Sequence, residues 1–388
     1  MATEPWRIGL LYSTTGATAN VERAQLNATL LALEEINAAG GVRGREITPL
    51  TYDCGSDPKR FRLNAERLIG QDGVRLLAGC YMSSCRKAVL PAVESFRGLL
   101  LYPTFYEGFE YSEQTVFTGA VLNQSAFQLA KYLLAHYGRR FLLVGSNYIY
   151  PYETNRVMSD FVVQSRGAVL DEIYLPLDAR ADSPELRRVI ARIEKHKPDV
   201  IFSTIVGQAT AAFYEAYADA GFSPASMPIA SLTTSEADVA EMRPGVAEGH
   251  ICAATFFQTL ATPAARRFVS AYGLRFGADA PIPSAAESAY FQTYALAAAL
   301  ERAGTDDPRR VMAEIVEVEV DAPQGRVRID PDNNHAYLWP RVARLDAEGR
   351  FQIVWNPGVR VKPDPYCMTQ RLDDWSADFL DAPASGGR

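Results

Sequence analysis

The stretch Val74-Arg-Leu-Leu-Ala-Gly-Cys-Tyr-Met-Ser-Ser-Cys-Arg-Lys-Ala-Val-Leu-Pro-Ala-Val-Glu-Ser-Phe-Arg-Gly-Leu-Leu-Leu-Tyr102 packs a strand, a helix and a second strand into one short span. Val74 to Cys80 and Gly98 to Tyr102 are apolar runs of strand length, and Ser84 to Phe96 between them has helical spacing. Strands apolar on both faces, joined through a helix, belong to a parallel sheet covered on both sides. The same unit is read upstream. Arg7-Ile-Gly-Leu-Leu-Tyr-Ser13 is a buried strand, and Ala19 to Ala39 is a helix stopped by Gly40-Gly41. Glu46 to Tyr52 is the next strand. Pro58 to Ile69 is a helix entered through Asp57, a good N-cap, with Pro58 at its first position.

After Asn123 the pattern restarts. Strands are read at Arg140 to Ser146, Ala168 to Leu175, Asp199 to Thr204, Pro228 to Leu232 and Ile251 to Phe256. Helices are read at Glu153 to Arg166, Pro184 to His196, Gln208 to Ala220, Pro263 to Phe276 and Ala285 to Ala303. From Val318 the character changes, and Gly325 to Ile329, Leu338 to Leu345 and Phe351 to Trp355 read as a small antiparallel meander. No internal repeat is present, so the expectation is an α/β protein of two doubly wound lobes, each with a central parallel sheet.

Charge and cysteine usage narrow the function classes. With 39 Lys+Arg against 46 Asp+Glu the chain of 388 residues carries a formal charge of −7, which argues against direct nucleic-acid or anionic-membrane binding. Cys54, Cys80, Cys85, Cys252 and Cys367 form no CxxC pair and no legible disulfide framework. The first apolar run, Ile8 to Leu11, is shorter than a signal-peptide core, and no run approaches the ~18 residues of a membrane span, so a soluble, cytoplasmic protein is expected.

Motifs for catalysis are missing. There is no GxxxxGK[ST] loop, no GxSxG elbow and no HExxH helix, and Gly40-Gly41-Val42-Arg43-Gly44 closes a helix where a phosphate loop would open one. His136, His196, His250 and His335 lie far apart in sequence, which suits structural roles and not a metal site. Cys80 and Cys85 flank a strand-to-helix turn where a thiol can be activated, but no histidine accompanies them, and a core role is the better reading. Arg86-Lys87 beside them reads as a solvated helix face, and the sequons at Asn27 and Asn123 carry no weight in a cytoplasmic chain. The positive signal is a crowd of hydroxyls at strand ends: Tyr81, Tyr102, Tyr106, Tyr111, Tyr148, Tyr150 and Tyr152, interleaved with Ser83, Ser84, Thr104, Thr204, Thr233 and Thr234. Such a wall offers donors, acceptors and flat apolar faces with few charges, and suits a small neutral polar ligand.

The segments Gly79-Cys-Tyr-Met-Ser-Ser-Cys-Arg-Lys-Ala-Val-Leu-Pro91 and Leu101-Tyr-Pro-Thr-Phe-Tyr-Glu-Gly-Phe-Glu-Tyr111 carry a resemblance, with Val144 to Pro151, Phe202 to Gly207, Ala230 to Glu236 and Asp321 to Gly325. They resemble the type I periplasmic-binding-protein family, in its branched-chain amino acid, urea and short-chain amide branch. The similarity runs from Ile8 to Trp375 and is greatest to the amide-responsive negative regulators of aliphatic amidase operons.

The resemblance implies two lobes joined by several hinge crossings, one of residues 1–121 plus about 253–330 and the other of 122–252 plus about 331–388, with a ligand cleft between them. In amino-acid-binding relatives a serine and a threonine hold the ligand carboxylate, and Ser83 and Thr104 match that pair. An acidic side chain there takes the ammonium. Here the corresponding loop reads Leu232-Thr-Thr-Ser, with Glu236 beyond it on the next helix, which implies an amide or urea in place of a zwitterion. Tyr81, Tyr102, Tyr148, Tyr150, Thr204 and Thr233 complete the implied lining. Ser84-Cys85 and Phe105 depart from the family pattern, which puts the ligand size in question.

A buried amide left unpaired costs roughly 2–7 kcal/mol, so its carbonyl must accept and its NH₂ must donate. Acetamide has only four heavy atoms, and at about −1.5 kcal/mol per atom its affinity is bounded near −6 kcal/mol. The function implied is a cytoplasmic sensor of short-chain aliphatic amides. It would bind and silence an RNA-binding transcription antiterminator until amide releases it, with no enzyme activity, no cofactor and no direct contact with nucleic acid or membrane. The alternative is the solute-binding subunit of an amide or urea ABC transporter.

Overall fold

The computed structural model of the chain describes residues 4–108, 110–366 and the backbone of Leu380–Asp381. Cys367 and Trp375 lie outside the described residues. The elements in chain order begin with β1 (Trp6–Leu11), α1 (Ala19–Ala38), β2 (Ile47–Thr51), α2 (Pro58–Gly70), β3 (Leu76–Gly79), α3 (Ser83–Ser95), β4 (Leu99–Tyr102) and β5 (Thr115–Phe117). There follow α4 (Ala126–His136), β6 (Arg140–Ser146), α5 (Ile149–Gln164), β7 (Ala168–Leu175), α6 (Pro184–His196), β8 (Val200–Thr204), α7 (Ala209–Asp219), β9 (Ile229–Ser231), α8 (Glu236–Val239) and β10 (Ile251–Ala254). The last third holds α9 (Pro263–Phe276), α10 (Ser284–Ala303), α11 (Pro308–Ile315), β11 (Glu319–Ala322), β12 (Gly325–Arg328), β13 (Arg341–Leu345), β14 (Phe351–Trp355), β15 (Arg360–Val361) and β16 (Leu380–Asp381).

Two compact units are built from interleaved segments, one from Met1–Ala120 with Ala261–Leu338, the other from Val121–Leu260 with Trp339–Arg388. The first carries a five-stranded parallel sheet in the order β2-β1-β3-β4-β5. Right-handed crossovers put α1 on one face, and the reversal of direction after β2 puts α2 and α3 on the other. Accordingly α1 packs with α10, and α2 packs with α3.

The second unit carries a seven-stranded sheet in the order β14-β13-β10-β9-β8-β6-β7. β6 shows why it is covered on both sides. Phe141 and Leu143 join the core under α4 and α5, with Phe127, Leu133, Val157 and Phe161. Leu142 and Val144 face the opposite core, with Leu186, Val189, Ile193 and Phe213 of α6 and α7. This is the period-two alternation of a strand buried on both faces.

The fold is the expected α/β architecture with doubly wound, parallel-rich sheets. The expected meander is corrected. β12 forms a hairpin with β11 in the first unit, while β13 and β14 extend the second sheet antiparallel to β10. β12 is closed by the local turn after Ala322. β13 finds the apolar edge of β10, a long-range pairing that adjacency in sequence does not report.

Candidate functional site

In open parallel sheets ligands sit beyond the carboxyl ends of strands where the strand order reverses. In the first unit that point lies between β1 and β3. Gly79 ends β3 at φ +135°, and a Cβ there would fall 2.1 Å from the Leu11 carbonyl oxygen, so this approach to β1 requires glycine. Cys80 follows in the left-handed region at φ +68°, with its N–H on the Leu11 carbonyl at 2.8 Å. The turn delivers the N-terminus of α3 to the strand ends, where the first N–H groups have no acceptor within the helix.

Ser83 opens that helix and is buried. Its hydroxyl donates to Glu107 Oε2 at 2.7 Å. Glu107 in turn pairs with Arg86, Nη2 to Oε1 at 2.9 Å, one helical turn along from Ser83. Thr104 follows β4, and its hydroxyl donates to the Cys80 carbonyl at 3.0 Å while the Thr104 oxygen accepts from Gln25 Nε2 at 3.1 Å. Gln25 Oε1 is buried beside it without a partner. A hydroxyl has one proton, so Ser83 and Thr104, with theirs committed inward, present lone pairs. Tyr102 contributes differently from expectation. Its hydroxyl is shared between the Tyr81 carbonyl at 3.0 Å and the Phe105 carbonyl at 3.2 Å, so the ring is a wall and its oxygen a brace for the turn carrying Tyr81.

Arg86 is the residue that the sequence reading misplaced. It is not on a solvated face but fully buried, with its guanidinium 4.8 Å from the Tyr102 ring centroid and 5.0 Å from that of Tyr106. Burial works against its charge, and Glu107, Tyr102 and Glu110 more than offset this, holding it well above its ordinary value. Glu110 accepts from Arg86 Nε at 2.7 Å and from Lys87 Nζ at 2.5 Å. Burial alone would raise the Glu110 carboxyl, but Arg86 and Lys87 hold it below its usual range. The partners of Arg86 lie 21 and 24 residues downstream, beyond the reach of any local pattern. The one legible signal was its place one turn after Ser83 on the helix leaving the switch point.

In the second unit the reversal lies between β6 and β8. Tyr148 and Tyr150 follow β6 with stacked rings 6.4 Å apart, Tyr150 in the first turn of α5. Thr204 ends β8 with its hydroxyl on Asn155 Oδ1 at 3.0 Å, and Thr233, after β9, donates to the Ile205 carbonyl at 2.6 Å. These four sit on neighbouring strand ends, as Ser83 and Thr104 do in the first unit. Glu236 opens α8, and its Oε1 accepts the N–H of Gln258, which follows β10, at 2.8 Å; burial pushes its carboxyl up to about 7.

Thiol chemistry finds no support. Cys80 and Cys85 are buried, and burial raises both thiols far above the range where a thiolate forms at neutral pH. Among the described residues no cluster of three or more His, Cys, Asp or Glu side chains could hold a metal ion, and no helix is long and apolar enough to cross a membrane.

Comparison with known proteins supports the fold. Residues 6–372 match the family model described as periplasmic binding protein domain. A leucine-, isoleucine-, valine-, threonine- and alanine-binding protein of Pseudomonas aeruginosa is 32% identical over 104 residues, 27% of this chain and 28% of that protein, so the match spans under a third of the relative's length. Leu/Ile/Val-binding protein homolog 6 of Brucella melitensis is 22% identical over 289 residues, 72% of each chain. Among solved structures, a solute binding protein of an ABC transporter from Rhodopseudomonas palustris BisB5, in complex with 3,4-dihydroxybenzoic acid, superposes with a TM-score of 0.82 at 19% identity, covering 91% of this chain and 99% of that one. These relatives are binding proteins, and the match over nearly all of its length places this chain in the periplasmic binding protein domain family.

Proposed function

We propose that this chain binds a short-chain aliphatic amide or urea. The observation that carries the reading is the inward commitment of the Ser83 and Thr104 protons, to Glu107 and to the Cys80 carbonyl. A ligand carboxylate needs donors, and these two oxygens would repel it. An NH₂ group supplies the donors they lack, and the N–H groups opening α3 are suited to the amide carbonyl.

Two uses of such binding are distinguished by partner. The ABC-transporter neighbour and the amino-acid-binding relatives support a solute-binding subunit of an amide or urea transporter. The resemblance of Gly79 to Pro91 and Leu101 to Tyr111 favours a cytoplasmic sensor that silences an RNA-binding antiterminator until amide releases it. Co-purification of an antiterminator that is lost on adding acetamide selects the sensor. Delivery of bound amide to a reconstituted permease selects the transporter subunit.

The ligand class is tested by calorimetry with acetamide, propionamide, butyramide, urea and leucine. Amide or urea should bind, with affinity reduced about tenfold or more in Ser83→Ala and in Thr104→Ala while both variants keep their fold. Binding of leucine alone, or unchanged amide affinity in both variants, would overturn the reading.

A further inference from the structure

Glu107 stands outside every expectation drawn from the sequence, yet it decides which way the Ser83 proton points. Its carboxylate is 1% exposed, takes the Ser83 hydroxyl at 2.7 Å on Oε2 and the Arg86 guanidinium at 2.9 Å on Oε1. Arg86 Nη1 lies a further 3.4 Å from Oε2. An ionised carboxylate accepts and never donates, so the shared proton belongs to Ser83, and Ser83 is left with lone pairs alone. Arg86 is itself fixed between Glu107, Glu110 and the rings of Tyr102 and Tyr106. The orientation is therefore built from below and does not wait for a ligand.

We propose that Glu107, held in place by Arg86, is the specificity-determining residue of the first unit: by making Ser83 an obligate acceptor it selects NH₂-bearing ligands over carboxylates. This rests on the amide reading of the site and deepens it. Glu107 is a positioning residue, because it acts on the ligand through Ser83. A neutral amide in its place would reverse the bond. The Nε2 of a glutamine donates to Ser83 Oγ, the hydroxyl proton turns toward the ligand, and the site gains the donor that a carboxylate requires.

The test compares acetamide with acetate, isosteric ligands differing in NH₂ against O⁻, by calorimetry on the full chain. In wild type acetamide should bind and acetate should not. Glu107→Gln should weaken acetamide about 10–100-fold and bring acetate into the measurable range. In the Ser83→Ala background the Glu107→Gln substitution should no longer change the acetamide-to-acetate ratio. A gain of acetate that persists there would mean that the uncompensated charge of Arg86 is responsible, which overturns the proposal. Weakened acetamide with no gain of acetate would mark a merely structural role and overturn it as well. Should Glu107→Gln fail to fold, Glu107→Asp retains the charge while withdrawing the acceptor from Ser83. A folded Glu107→Asp protein with unrelaxed discrimination refutes the assignment. Failure of wild type to bind acetamide or urea overturns the reading of the site itself, whereas binding with an unchanged ratio in the variants overturns only the role of Glu107.

Discussion

His250 shows how much one side chain can tie stability to pH. Its Nδ1 accepts the Ile229 N–H at 2.9 Å, and its ring lies edge-on to Tyr214 and Tyr217, each centroid 4.9 Å away. Burial pushes the imidazole down to about 3 from its ordinary 6.5. Below 6.5 the unfolded chain takes up a proton that the folded chain refuses, so this residue lowers stability as pH falls from 6.5 toward 3, by at most about 1.4 kcal/mol per pH unit. His250→Phe leaves the Ile229 N–H unpaired, at about 1–3 kcal/mol at neutral pH. Denaturant unfolding at several pH values should show the deficit of this variant shrinking below pH 6.5; a deficit independent of pH would refute the linkage. At this scale the candidate site was half legible. Ser83 and Thr104 announced themselves as hydroxyls at strand ends. Arg86 and Glu107 did not, because a buried ion pair reads in sequence like any two surface charges until the fold brings them together.

Elements announced by local chemistry were legible, and those held by distant contacts were not. α2 begins at Pro58 because Asp57 Oδ1 accepts the Lys59 N–H at 2.9 Å and Pro58 needs no acceptor. Asp57→Ala should lower stability by about 1 kcal/mol in thermal or urea unfolding, with Asp57→Asn close to wild type. An alanine variant as stable as wild type would show that α2 is fixed by its packing on α3 alone. The same Asp-Pro signature opens α11 at Asp307-Pro308, with Asp307 Oδ1 on the Arg310 N–H at 3.1 Å, and the sequence reading passed over it because the helix has only 8 residues. α4 was read only through its end, with His136 placed near a helix C-terminus. β5 has three residues and exists by pairing with β4.

At the scale of the molecule, the chain leaves and re-enters its two units at Ala120–Val121, Leu260–Ala261 and Leu338–Trp339. Neither unit is a contiguous piece of sequence, so local patterns show the restart after Asn123 and leave the tail segments that complete each lobe to the family resemblance. Ending the chain at Leu338 removes β13 and β14, and with them Val342, Ala343, Leu345 and Phe351 from the second unit's cores. Phe257 also loses its stacked partner Phe351 at 5.1 Å. At about 1.5–3 kcal/mol for each large apolar side chain, the loss is comparable to the whole stability of a domain. The truncated chain should bind a hydrophobic dye and lose its near-UV signal, and an unchanged unfolding midpoint would contradict the division.

The packing of α10 on α1 has a consequence for synthesis. Tyr290 of α10 places its hydroxyl on Glu35 of α1, 255 residues earlier. At about 5–20 residues per second, a ribosome separates the emergence of these two helices by roughly 13–50 s. Throughout that interval the nascent α1 is without α10, the helix that packs on it. The first unit therefore begins translation first and completes its folding late, with the α10-facing side of α1 uncovered until then.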